Sequence, residues 1–145
     1  MIQRIQTVFL LLAFVAIILL FHFPFAVSDV ENAGFFSDSK YNVYDNVFLI
    51  VLVAIGSLLA LAAIFLFKNR ALQLRFSYLM IVQSILLVIV AAVLFYNEAK
   101  SVEMEGNVSD SVGLYLPIIT IVLAILAGRY IARDEKTVRS MDRLR

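Results

Sequence analysis

The chain has 145 residues, of which 63% are hydrophobic and only 16% charged, with a formal net charge of +1 and a mean hydropathy of +0.96. Soluble domains carry about 25% charged residues, and a chain this short cannot enclose several wholly apolar helices, so a soluble globular domain is excluded. Cysteine is absent, which removes disulfide frameworks, thiol nucleophiles, thiolate metal sites and palmitoylation, and with them the small four-helix quinone-linked thiol oxidoreductases.

Four apolar runs approach or exceed the roughly 18 residues that mark a membrane-spanning helix. They predict an all-α membrane protein, a single domain over 1–145 built as a bundle of four transmembrane helices at about 5–27, 46–67, 72–96 and 113–132. The first run is interrupted only by His22 and Pro24. A cleaved signal peptide, with Ala26-Val27-Ser28 as the processing site, is the rival reading; the run exceeds the 7–15 apolar residues usual in such peptides, so a retained helix is expected.

The first loop, 28–45, holds Asp29, Glu31, Asp38 and Asp45 against Lys40 alone. Its aromatics Phe35, Phe36, Tyr41 and Tyr44 exceed what a solvated linker needs. They mark a loop that lies on a membrane interface or folds over the helix ends, a zone amphipathic rings favour, or they pack on a small core of the loop's own. The second run is free of charge and spans roughly 31 Å as a helix. Gly56 and Ala60 stand four apart in it, a spacing that lets helix backbones approach in lipid.

A short basic hinge, 68–75, carries Lys68, Arg70 and Arg75 with no acid. In the third run Ser77, Ser84 and Ala91 recur every seven residues, and Gln83 adjoins them. Hydroxyls and amides in lipid need partners, so this face is expected to look toward another helix. The second loop, 97–112, has Glu98, Glu103, Glu105 and Asp110 against Lys100, and Asn107-Val108-Ser109 matches a weak glycosylation sequon. In the fourth run Pro117 falls near the start, where a missing amide costs least. Thr120, Ala124, Gly128 and Ala132 then repeat every four residues, the longest small-residue stripe in the chain.

The tail, 133–145, carries Arg133, Lys136, Arg139, Arg143 and Arg145 against Asp134, Glu135 and Asp142. Nothing in it breaks a helix, and Glu135 and Arg139 are correctly spaced for a helical ion pair. The last helix is therefore expected to run on into the tail. Ten of the twelve basic residues (Arg4, the three of the hinge, Arg129 and the five of the tail) lie on one side of the four-span topology, and the two loops hold only Lys40 and Lys100. Because lysine and arginine favour the cytoplasmic side, both termini are expected in the cytoplasm.

The central part of every run lacks Asp, Glu, Lys, Arg and His. Small multidrug exporters also have four helices but require a membrane-embedded carboxylate, so proton-coupled transport is disfavoured. His22 is the only histidine and has no cysteine or second histidine to share a metal with. No phosphate loop, serine-hydrolase elbow or His-Glu-x-x-His pattern occurs. No catalytic, cofactor-binding or metal residue is therefore assigned.

The opening Met1-Ile2-Gln3-Arg4-Ile5-Gln6-Thr7 and the closing stretch from Asp134 through Arg145 together resemble the bacterial membrane family known as domain of unknown function 4293, found in the Bacteroidota. The resemblance covers the whole length. It implies an inner-membrane location and brings no catalytic residues with it.

The expected role is a non-enzymatic accessory or structural subunit of an inner-membrane complex. Helix faces (Gly56, Ala60, Ser77, Gln83, Ser84, Ala91, Thr120, Ala124 and Gly128) would meet membrane lipids, a membrane-protein partner or a second copy. A basic surface formed by Arg4, Lys68, Arg70, Arg75 and the tail would meet a cytoplasmic partner. No specific nucleic acid is expected. The alternative is a binder or carrier of a lipid or other apolar molecule in the bundle.

Overall fold

A computed structural model describes residues 3–29, 34, 37–101 and 107–142. Four helices dominate: α1 (Gln3–Ile18), α2 (Val47–Phe65), α3 (Arg70–Ser101) and α4 (Val112–Asp142). Each packs on the next in sequence and α4 closes on α1, so the bundle is a ring of consecutive neighbours running up, down, up, down. The short link between α2 and α3 makes those two antiparallel neighbours.

The buried positions explain the packing. They are Gln6, Leu10, Ala13, Ile17 and Leu20 on the first segment, and Leu49, Val53, Gly56, Ala60 and Ala63 on α2. On α3 they are Gln73, Ser77, Met80, Ser84, Leu87 and Ala91, and on α4 Leu116, Thr120, Ala124, Ala127 and Ile131. On the first three segments the steps alternate between four and three, the 3.5-residue repeat that keeps one seam facing a neighbour, and on α4 a step of three interrupts the fours. On α4 this differs from the period of four expected from sequence. A 3.6-residue helix carries such a stripe off its face, so Ala127 and Ile131 take over the seam while Ala132 is only half-buried.

Outside this seam the helices are apolar as well. Val51, Ile55 and Leu58, Val82, Leu86 and Ile89, and Ile118, Val122 and Ile125 are all exposed. Three helical segments, Val47–Lys68, Arg70–Lys100 and Val112–Thr137, are long and apolar enough to cross a membrane. The first apolar helix, Ile5–Phe21, is shorter, about 25 Å at 1.5 Å per residue.

That shortness corrects the expected 5–27 helix. The regular helix stops at Ile18, and a 3-10 turn closes it over Leu19–Phe21. Pro24 lacks the amide a helix needs and restricts the residue before it, so the chain leaves in extended form. Ala26–Ser28 becomes strand β1, paired antiparallel with β2 (Lys40–Tyr41) and β3 (Val108–Asp110) in the order β2-β1-β3. Ala26 lies opposite both Tyr41 and Asp110. The two acidic loops thus join in one sheet that caps the bundle.

Other boundaries move for local reasons. The hinge contracts to the 3-10 turn Leu66–Lys68 and Asn69, because Asn69 Oδ1 accepts the Leu72 amide and starts α3 at Arg70. Arg70 and Arg75 are therefore helical. At its far end α3 runs past 96 to Ser101, and α4 continues without a break to Asp142. Before α2, Asn42 and Asp45 bond reciprocally in a capping box, and Asn46 Oδ1 accepts the Phe48 amide at 2.9 Å.

Candidate functional site

Two apolar clusters fill the bundle. One, near the sheet, joins Ile17, Leu20, Phe25, Tyr41, Val43, Leu49, Val53, Leu87 and Leu116. The other, toward the chain ends, joins Leu10, Ala13, Ala60, Ala63, Met80, Ala124 and Ala127. Between them lies a polar layer. Gln83 Nε2 donates to the Leu52 carbonyl at 2.8 Å, Ser84 Oγ lies 3.5 Å from Gln83 Oε1, and Thr120 Oγ1 donates to its own helix at the Leu116 carbonyl. Gly56 is small because a β-carbon there would meet Ile17 Cδ1 and Gln83 Oε1.

Every helix-packing residue named from sequence is buried: Gly56, Ala60, Ser77, Gln83, Ser84, Ala91, Thr120, Ala124 and Gly128. Their roles differ. A β-carbon at Gly128 would touch Leu74 Cδ1 at 3.7 Å and Ser77 at 4.0 Å, ordinary contact with α3, so no close backbone approach depends on that glycine. Gly113 does require its missing side chain, since a β-carbon would run into the backbone carbonyls of Phe23 and Pro24, where the Gly113 amide bonds Pro24 O at 3.0 Å.

Two further glutamines clamp helices. Gln6 Nε2 donates to the Tyr130 carbonyl at 3.1 Å, and Gln73 Nε2 to the Ala63 carbonyl at 3.0 Å. Both side chains are buried, although neither was singled out from sequence and Gln73 was placed in the hinge. Gln73 was legible: it stands four residues before Ser77 and extends the Ser77–Ser84–Ala91 stripe.

At the end away from the sheet the basic segments meet. Gln6 reaches α4, Phe9 stacks on Tyr130 at 5.5 Å, and Arg70 Nη2 lies 3.4 Å from Asp134 Oδ2 while Nη1 donates to the Asp134 carbonyl. Arg70 is thus not a free surface cation; it is half-buried and committed to α4. Lys68, Arg75, Arg129, Arg133 and Lys136 are exposed. The side chains of Arg4 and Arg139 lie outside the described residues, as do Arg143 and Arg145, and Glu31, Phe35, Phe36, Glu103 and Glu105 of the loops.

A further feature lies at the sheet end. A cavity of about 570 Å³ opens between α3 and α4 beneath the strands. Val88, Ala91, Ala92, Phe95 and Tyr96 of α3 form one wall, Leu114 and Pro117 of α4 the other, and Phe25, Tyr41 and Val108 the roof. Alanines on α3 and the ring of Pro117 leave the gap. Tyr41 sets the roof: it is buried, its ring packs on Phe25 at 5.5 Å and Phe95 at 6.0 Å, and its hydroxyl donates to the Ala91 carbonyl at 3.1 Å. Burial raises its pKa well above the ordinary tyrosine value, and Asp45 and Glu98 raise it further. The phenol is a structural donor, not an acid.

One carboxylate lines the cavity, Asp110. His22 is exposed, edge-on to Phe23, and among the described residues no three of His, Asp and Glu gather where they could hold a metal. The serine of the sequon, Ser109, sits in β3 and donates to the Val27 carbonyl at 3.3 Å.

Neither the curated proteins nor the solved structures contain a match to the chain. A family described as Domain of unknown function (DUF4293) matches residues 2–144, nearly the full length. The chain belongs to that family.

Proposed function

We propose that this is a four-span bacterial inner-membrane protein, both termini cytoplasmic, that binds the apolar chain of a lipid between α3 and α4. The observation that carries the reading is the cavity. Its volume of about 570 Å³ falls within the ~300–1,000 Å³ typical of small-molecule sites. It runs from Val88 to Tyr96, about 12 Å along α3, and its walls are almost wholly aliphatic and aromatic. Those walls suit a hydrocarbon chain and offer no group for chemistry upon it, so the role is binding or carriage without catalysis.

The orientation is supported by the basic segments gathered at one end and by exposed rings at both. Tyr78 and Tyr96 are exposed on α3 about 27 Å apart, and Phe48 and Phe65 on α2 about 26 Å apart, near the thickness of a hydrocarbon core. Interfacial aromatics take such positions.

The test is lipid retention in mild detergent, read by native mass spectrometry. The intact protein should keep a lipid that Ala92→Trp loses, since Ala92 lines the cavity yet faces outward and can be enlarged without disturbing the core. A ligand-free wild type, or retention unaffected by the tryptophan, would sink the reading.

A second reading, an accessory subunit that docks a partner, draws on one observation: α4 runs on through the charged segment to Asp142 with Arg133 and Lys136 exposed. Affinity purification with and without residues 133–145 tests it, and recovery of a lone monomer in both cases counts against it.

A further inference from the structure

We propose that the mouth of the α3–α4 cavity selects a zwitterionic phospholipid whose headgroup carries a primary ammonium; the inference rests on the lipid-chain reading above. Asp110 is the one charged side chain in the cavity lining. It stands exposed at the end of β3, and among the described residues its carboxylate has no ion-pair partner. A carboxylate at the rim of an apolar slot is matched by a cation on a ligand whose chain fills the slot.

The neighbouring charges narrow the class. Lys100 Nζ sits 4.6 Å above the Tyr96 ring, and Tyr96 is itself a wall of the cavity. The rim therefore offers an acid for an ammonium and a cation for a phosphate, the two charges of a zwitterion. The other described charges of this end are Asp29, Asp38, Asp45 and Glu98 against Lys40 alone, a field that disfavours a net anionic headgroup. A primary ammonium is favoured over a quaternary one for two reasons. It can donate hydrogen bonds to the Asp110 carboxylate, and quaternary ammonium needs aromatic faces, of which the exposed one here, Tyr96, already carries the Lys100 ammonium.

The experiment equilibrates the full chain in detergent with equimolar phosphatidylethanolamine, phosphatidylcholine and phosphatidylglycerol of identical acyl chains, and counts retained lipid by native mass spectrometry. Wild type should retain the ethanolamine lipid roughly three- to five-fold over each of the others, the size of a solvent-accessible ion pair. Asp110→Asn should bring the three to parity while still holding lipid, and Asp110→Glu should keep the preference. The wild-type preference needs no variant, so misfolding of either substitution leaves the proposal testable. Equal retention of all three by wild type, lost in Ala92→Trp, overturns the headgroup selection and leaves the chain-binding reading standing. A preference for phosphatidylglycerol or phosphatidylcholine overturns it likewise. No retention above the Ala92→Trp level overturns both.

Discussion

The Tyr41 hydroxyl donates to the Ala91 carbonyl at 3.1 Å, tying a two-residue strand of the first loop to the α3 wall of the cavity. A helical carbonyl already accepts from its own helix, so this bond uses its second lone pair. Tyr41→Phe should therefore cost about 0.5–1.5 kcal/mol, and Tyr41→Ala, which also removes the ring between Phe25 and Phe95, about 3–5 kcal/mol. Thermal unfolding in detergent and hydrogen exchange at residues 26–28 read the two effects. Equal losses for both variants would mean that the ring contributes nothing.

The same phenol has an alkaline signature. Its folded pKa is raised, chiefly by burial, so its contribution to stability is whole below the unfolded tyrosine value of about 10 and is lost as pH rises toward the folded one. Tyr41 should ionise above the ordinary tyrosine range in an ultraviolet titration. Tyr41→Phe should remove that high-pH component.

Asp45 makes a prediction of the same sign at lower pH. Burial raises its pKa, Asp38 adds to the rise, and the hydrogen bond from the Asn42 amide opposes both. A raised carboxylate stabilises the fold below its unfolded pKa, and that contribution is lost as pH climbs through the folded value. The cap around the Asn42–Asp45 box should thus be firmer in mild acid than at neutrality. Asp45→Asn should flatten that dependence in melts run between about pH 4 and 7.

The glycines separate cleanly. Gly56→Ala forces Ile17 and Gln83 to move and should cost about 1–3 kcal/mol, the range for an overpacked core. Gly128→Ala finds only ordinary contacts at 3.7 and 4.0 Å and should be neutral or stabilising by up to about 1 kcal/mol through lower unfolded-chain entropy. Gly113→Ala should be the worst of the three, because the backbone carbonyls of Phe23 and Pro24 cannot rotate away. Unfolding midpoints in one detergent order them.

Arg70 and Asp134 form an ion pair, with side chains 23% and 13% exposed. Asp134 Oδ2 is buried and accepts no hydrogen bond, so the guanidinium is what offsets its charge. Arg70→Met should loosen the end of α4 more than the double change with Asp134→Leu does, because only the single change leaves a carboxylate unpaired. Hydrogen exchange across 129–142 checks the order.

Sequence alone determined the helical class, the number of apolar runs, the sorting of charge and most of the inward-facing residues. Each of these follows from local quantities: run length, the absence of buried charge, and small or polar groups recurring along one helix. The Ser77–Ser84–Ala91 stripe and Gly56 were readable because a helix repeats its face every few residues. The sheet was not readable, because Ala26–Ser28, Lys40–Tyr41 and Val108–Asp110 are two or three residues each and become strands only when the ring of helices brings their loops together. The early end of α1, the commitment of Arg70 to Asp134, the Tyr41–Ala91 tie and the cavity beneath it are likewise contacts between distant segments. No periodicity records such contacts, so only the tertiary structure decided where the cavity opens.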